Sequence, residues 1–255
     1  RNDNGVFVNS GISLVAVGFG AGVWGDFDND GDLDVLLTGL TGSGPTSRVY
    51  RNDGGGSFTD VATLAALQLS TAAWGDYDND GYLDILLAGL TVSGPTSSVY
   101  RNNQSGAFSL VSAGLADLSV SSAAWGDYDR DVNLDVLIMG YTGQAAVTHI
   151  YHNNATIHNT RPNPPGGLAH TLAGERLDLS WSAASDVQTP SDGLLYNVRM
   201  GTEPRWGDIV PPMACGFAGC GGAGFRLVPQ LGNAGHGLTA TLHLTLSTGV
   251  CYWSV

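Results

Sequence analysis

Residues Asp26-Phe-Asp28-Asn-Asp30-Gly31-Asp32-Leu-Asp34 return as Asp76-Tyr-Asp78-Asn-Asp80-Gly81-Tyr82-Leu-Asp84. They return again as Asp127-Tyr-Asp129-Arg-Asp131-Val132-Asn133-Leu-Asp135. Four or five carboxylates within nine residues repel one another, and two unit charges ~5 Å apart cost roughly 3 kcal/mol at an effective dielectric near 20. Such a loop either stays solvated and loose or is neutralised by a hard cation. Alternate Asp residues around a central Gly are how a tight loop wraps oxygen ligands around calcium. An EF-hand does not fit, because its twelfth position takes Glu, whereas Leu37, Leu87 and Ile138 stand there.

Working outward, the repeat is longer than the loop. Trp24, Trp74 and Trp125 stand 50 and 51 residues apart, each followed by Gly-Asp. An apolar run follows each loop (Leu33–Gly39, Leu83–Gly89, Leu134–Gly140), and Tyr50, Tyr100 and Tyr151 each lie sixteen residues after the loop's last Asp. The phrase Tyr50-Arg-Asn-Asp-Gly-Gly-Gly-Ser-Phe58 recurs as Tyr100-Arg-Asn-Asn-Gln-Ser-Gly-Ala-Phe108, and Arg1-Asn-Asp-Asn-Gly-Val-Phe7 is the same phrase without its tyrosine. A period near 50 with several short strands per unit points to propeller blades. Within one unit the pattern predicts strands at 72–76, 83–90, 97–102 and 107–112, with the acidic loop joining the first two. Runs such as Leu83-Asp-Ile-Leu-Leu do not alternate, so both faces of that strand should be covered. Gly punctuates each run, which argues against helix.

The composition is that of a turn-rich globular protein: 255 residues, 43% hydrophobic, only 13% charged, with 37 Gly. Lysine is absent, Glu occurs only at 175 and 203, and thirteen of the 21 Asp lie in the three loops. The formal charge of −13 is therefore mostly local, and three Ca²⁺ would offset roughly half of it. No basic patch exists to neutralise phosphates, which argues against nucleic acid as a partner. No apolar run approaches the ~20 residues that span a bilayer. Because Arg1 falls inside a recurring phrase, both ends are expected to be cut from a longer protein. Cys215 and Cys220 flank a Gly-rich turn and could close a small disulfide, with Cys251 left over; three unpaired small hydrophobes is the other reading. Millimolar calcium outside cells suits loops of this kind, so an extracellular or cell-surface location is expected.

The composition changes at Thr160-Arg-Pro-Asn-Pro-Pro165-Gly-Gly167, read as a linker over 160–167 because proline stiffens the chain and donates no ladder hydrogen bond. Beyond it the repeat is gone. Leu177-Asp-Leu-Ser-Trp181, Tyr196-Asn-Val-Arg-Met200 and Ala240-Thr-Leu-His-Leu-Thr-Leu246 alternate apolar and polar, which predicts an antiparallel sandwich.

The blade phrase (Trp-Gly-Asp-Tyr-Asp-Asn-Asp-Gly-Tyr-Leu-Asp, then Val-Tyr-Arg-Asn and a Gly-rich turn before Phe) resembles FG-GAP/VCBS repeats, the blades of integrin-α-type β-propellers. The resemblance covers roughly residues 1–157. It implies calcium bound by the side chains of Asp26, Asp28, Asp30 and Asp34 with the Asp32 carbonyl. In the second loop the ligands would be Asp76, Asp78, Asp80 and Asp84 with the Tyr82 carbonyl. In the third they would be Asp127, Asp129, Asp131 and Asp135 with the Asn133 carbonyl. There Val132 replaces the glycine, and a β-branched residue is strained if that position needs φ > 0. These two to three ions would be structural. Residues 168–255 resemble a fibronectin type III domain that lacks its last strand. Trp181 would be its core tryptophan and Tyr252 the tyrosine of its penultimate strand, while the Gly-rich insert at 213–224 departs from that pattern.

The expected fold is thus all-β: a partial propeller of about three four-stranded blades over 1–159, then a C-terminal β-sandwich. No catalytic constellation is readable. The six histidines are scattered, His149 and His152 sit beside a blade tyrosine rather than in a ligand set, and no Gly-x-Ser-x-Gly elbow occurs. Trp24, Trp74 and Trp125 could form a sugar-stacking platform, but their in-phase position favours core packing. Arg51 and Arg101 read as surface residues. The functional expectation is a non-catalytic extracellular binding or adhesion module with a protein or glycan ligand. The alternative is a structural subunit of a filament, sheath or stalk whose copies contact one another, and an accessory region of a secreted polysaccharide-acting enzyme ranks behind both. Three blades do not close a ring, so further blades upstream or an oligomeric partner are expected to complete it.

Overall fold

The structure is a computed structural model describing residues 2–3, 6–156, 160–201, 237–243 and 252–255. Cys215, Cys220, Cys251 and the insert at 213–224 lie outside these residues, so neither cysteine reading is addressed. The described chain is nearly all β, with a single 3₁₀ turn at Ser191–Gly193. Among the described residues no helix is long and apolar enough to cross a membrane.

A short hairpin comes first, β1 (Asn2–Asp3) with β2 (Val6–Phe7). Two four-stranded antiparallel meanders follow. The first is β3 (Gly18–Gly25), β4 (Asp34–Thr41), β5 (Gly44–Asn52) and β6 (Phe58–Thr63). The second is β7 (Gln68–Gly75), β8 (Asp84–Thr91), β9 (Gly94–Asn102) and β10 (Phe108–Val111), in sheet order β10-β9-β8-β7. A third sheet has three strands among the described residues, β11 (Ser119–Gly126), β12 (Asp135–Tyr141) and β13 (Ala146–Tyr151), where four were expected. The hairpin Asn2↔Phe7 has the same register as Asn52↔Phe58 and Asn102↔Phe108, so the opening phrase folds as the outer edge of a blade.

Strands β7 and β8 of the second blade fill both junctions, which is why the Leu-Asp-Ile-Leu-Leu run does not alternate. Ile85 and Leu87 join Phe27, Leu36 and Val49 of the first blade, whereas Leu86 and Ala88 join Val136 and Ile138 of the third. Trp74 stacks on Phe27 and Trp125 on Tyr77, each crossing from one blade to the one before it. The core-packing expectation therefore holds for these two, whereas Trp24 is exposed.

The remaining strands form a three-stranded sheet, β14 (Ala169–Ala173), β15 (Arg176–Ser180) and β17 (Thr239–His243), and a pair, β16 (Arg199–Gly201) with β18 (Tyr252–Ser254). Leu177, Leu179 and Trp181 face Tyr196, Val198 and Met200 across one core. Tyr196 rather than Tyr252 is the buried tyrosine, and its hydroxyl accepts the Ala184 N–H at 2.9 Å. The proline-rich segment is tied to this unit, with Asn163 N–H donating to Ser185 O and Ser182 N–H to Gly166 O, both at 2.8 Å.

Candidate metal centres

Each acidic loop joins the first two strands of a blade, and its first and last aspartates are committed to backbone. Asp26 accepts the N–H groups of Asp30 and Gly31, and Asp76 those of Asp80 and Gly81, at 3.0–3.1 Å. The last Asp reaches out of the loop: Asp34 accepts from Phe27 and Asn52, Asp84 from Tyr77 and Asn102, and Asp135 from Tyr128 and Asn153. This side chain fastens the loop to the end of the blade's third strand, and in all three blades it is buried.

That framework brings one carboxylate oxygen from each of Asp26, Asp28 and Asp34 within 4.8 Å of one another, and likewise from Asp76, Asp78, Asp84 and from Asp127, Asp129, Asp135. Asp30 and Asp80 instead turn onto their own loops, accepting the N–H groups of Asp32 and Tyr82. In the first two loops one oxygen of the middle Asp, Asp28 Oδ1 and Asp78 Oδ1, is shut off from solvent with no hydrogen-bond partner. An orphaned buried carboxylate oxygen facing two further carboxylates is a site that a hard cation would satisfy. The residues present therefore fit a calcium ion in loops one and two.

The electrostatics agree. Burial, then the neighbouring Asp30 charge, pushes Asp28 up, and burial with Asp80 does the same to Asp78. Burial raises Asp34 and Asp76 to about 7 and Asp84 to about 8. A carboxyl whose folded pKa lies above its unfolded value of 3.8 stabilises the fold below about pH 4, and that contribution is lost as pH rises through 7–8. Metal-stripped protein should therefore melt higher at pH 5 than at pH 8.5. With excess calcium the slope should reverse, because the ion requires ionised carboxylates and protons compete with it. Melting curves across this range decide the point, and a metal-stripped protein that gains stability from pH 5 to 8.5 would contradict it.

The third loop differs in two ways. Val132 has φ +77°, where Gly31 and Gly81 have +94° and +88°, so the expected strain is present in a β-branched residue. Such strain costs roughly 1–3 kcal/mol, while a new glycine adds ~0.4–1 kcal/mol of unfolded-state entropy. Val132→Gly should then raise the melting temperature by about 2–4 °C, since a net ~1 kcal/mol moves a chain of this size by that much. No rise in a thermal melt would show that the loop has absorbed the strain elsewhere.

The second difference is the counter-charge. Arg101 reaches Asp78 at 2.6 Å and Asp80 at 3.0 Å, so it is part of the loop rather than a plain surface residue. In blade three His152 stands in this position, with Nε2 at 2.9 Å from Asp129 and 3.4 Å from Asp131. The sequence reading placed His152 outside any ligand set, yet one of its ring nitrogens groups with Asp129 and Asp131. The signal was available: His152 follows Tyr151 as Arg51 follows Tyr50 and Arg101 follows Tyr100.

Residues 26–87 and 76–138 both match the family of FG-GAP-like repeats, as two overlapping units. The segment 26–138, which holds all three acidic loops, is thus built of FG-GAP-like repeats. No curated protein and no solved structure matches the chain.

Proposed function

We propose that this chain is a calcium-stabilised, non-catalytic extracellular module that works by adhesion, presenting its blades to a protein or glycan at a cell surface. The observation that carries the reading is the pair of orphaned oxygens, Asp28 Oδ1 and Asp78 Oδ1, inside repeated carboxylate clusters. Calcium would be held by Asp26, Asp28, Asp30 and Asp34 with the Asp32 carbonyl, by Asp76, Asp78, Asp80 and Asp84 with the Tyr82 carbonyl, and by Asp127, Asp129, Asp131 and Asp135 with the Asn133 carbonyl. The ion supplies positive charge that fastens the loop; the protein residues fix the strand ends around it. The C-terminal unit is read as fibronectin type III-like, supported by buried Trp181 packed on Tyr196 at 5.8 Å.

Chelation tests the calcium half of this reading. A ligand present at 100 times its Kd stabilises by about 2.7 kcal/mol per site. Two filled loops should therefore raise the melting temperature by on the order of 10 °C over the EDTA-treated protein. An unchanged melting curve removes the calcium. Failure to retain any glycan or cell-surface protein in array and cell-binding assays removes the adhesion.

A second reading, a structural subunit whose copies contact one another, is favoured by a separate observation. Trp24 and Tyr128 are exposed, where their counterparts Trp74 and Phe27 are buried.

A further inference from the structure

The residue after the blade tyrosine is arginine in the first two blades, yet the two arginines behave differently. Arg101 lies across the second acidic loop, with Nε 2.6 Å from Asp78 Oδ2 and Nη2 3.0 Å from Asp80 Oδ2, and Gln104 adds another donor to Asp80 at 3.2 Å. Arg51 turns off the first loop: its Nε and Nη2 are both 2.8 Å from Asp53 Oδ1. It acts on Asp28 only through space. The cause is one position in the sequence. Tyr50-Arg-Asn-Asp53 carries a carboxylate where Tyr100-Arg-Asn-Asn103 carries an amide. The two positions are structurally equivalent, since Arg51 pairs with Thr59 as Arg101 pairs with Ser109. Asp53 accepts the Thr59 hydroxyl and holds Arg51 as well, whereas the Asn103 amide donates to Ser109 Oγ at 2.8 Å and offers no charge. Arg101 then finds its negative partners in the loop.

We propose that the residue at 53 or 103 sets how tightly its loop takes calcium: Asp53 draws Arg51 away and leaves the first loop open, while Asn103 leaves Arg101 on the second loop as an internal counter-cation. This rests on the calcium reading above and adds an order to it, the first loop filling before the second as calcium rises. Asp78 and Asp80 are two of the four aspartates expected to hold the second ion, and Arg101 bonds an oxygen of each. A divalent ion entering there either forgoes those oxygens or sits beside a guanidinium, and both weaken its binding. An exposed ion pair shifts an equilibrium by up to about fivefold, so the two made by Arg101 should weaken the second loop about tenfold. The first loop also has a fifth aspartate, Asp32, where the second has Tyr82, so substitutions that compare each loop with itself isolate the effect of the arginine.

Calcium titration of the EDTA-stripped full chain, followed by NMR through the Gly31 and Gly81 amides, reads the two loops separately. Each N–H donates within its own loop, to Asp26 at 3.1 Å and to Asp76 at 3.0 Å. The Gly31 signal should reach its midpoint at about tenfold less calcium than the Gly81 signal, Arg101→Gln and Asn103→Asp should each tighten the second loop about tenfold, and Asp53→Asn should weaken the first by a similar factor. The remaining amide signals show that each variant is folded. A mere change in local charge is told apart by double substitution. Asn103→Asp should tighten the second loop less than about twofold once Arg101→Gln is in place, and Asp53→Asn should lose its effect in an Arg51→Gln chain. A Gly81 midpoint at or below that of Gly31, a midpoint unmoved by Arg101→Gln, or a full gain from Asn103→Asp in the Arg101→Gln chain overturns the inference. Loops that both bind calcium in any of those ways leave the calcium reading standing, whereas amides that do not move in millimolar calcium remove that reading itself.

Discussion

Trp74→Ala is expected to destabilise the chain by about 3–5 kcal/mol, the cost of removing a buried tryptophan, while Trp24→Ala in the same sequence motif costs under about 1 kcal/mol. Trp74 is enclosed on three sides: it stacks on Phe27, tilts against Phe108 at 6.0 Å and covers Gly25 so closely that no larger residue fits there. Truncation opens a cavity at the centre of the first junction, lined by Leu36, Val49 and Ala72, which the stiff sheets on either side cannot close. One term works in the opposite direction: the indole Nε1–H is buried without a hydrogen-bond partner, so its removal relieves an unmet donor. Trp74→Phe separates the two, keeping most of the stacked ring without that N–H, and should cost less than half as much. Denaturant melts below 1 µM, where no partner covers Trp24, give the comparison. Equal losses for the two alanine variants would mean that blade stacking does not hold the array together.

The contrast between Trp24 and Trp74 also marks what the sequence could reveal. Phase alone placed Trp, loop, Tyr and Phe correctly in the first two blades, because a fifty-residue period with apolar runs bounded by Gly leaves few alternatives to a four-stranded meander. It could not assign exposure, since Trp24 and Trp74 both open the same Trp-Gly-Asp phrase, yet only Trp74 is buried, against Phe27. The first strand was expected to begin at Ala72 and begins at Gln68, ahead of a pairing irregularity where Leu69 has φ +48°. Phe19 and Val120 repeat that conformation at +53° and +47°, and nothing in a leucine, phenylalanine or valine signals a left-handed backbone. The sequence grouped the first, third, fifth and ninth loop residues, Asp in all three loops, whereas the structure gathers the first, third and ninth and turns Asp30 and Asp80 onto their own loops. The role of the ninth residue as the fastener of a strand eighteen residues later was not readable, because that contact depends on sheet register. Gly81 holds a further hidden contact: a Cβ there would run into the backbone of Gln188 and Thr189, so the C-terminal unit lies against the second loop.

The second large effect follows from that fastener. Asp84→Ala leaves the part-buried N–H of Tyr77 and the buried N–H of Asn102 without the oxygens that accept them at 3.0 and 2.8 Å. Each unmet buried donor costs roughly 1–3 kcal/mol, so the metal-stripped protein should lose about 2–6 kcal/mol. The damage spreads, because Asn102 also donates through its side chain to Leu83 O at 3.2 Å and, across the junction, to Phe27 O at 2.8 Å. Asp84→Asn retains one accepting oxygen and sets its NH₂ against the other N–H, so its loss in metal-stripped protein should be about half that of alanine. Calcium distinguishes a structural acceptor from a ligand. If Asp84 binds the ion, both variants lose the second loop's share of the calcium-induced rise in melting temperature, whatever their starting stability. Loss of the starting stability together with the full calcium-induced rise would make Asp84 a fastener of strands alone and shift the ligand role to Asp76 and Asp78.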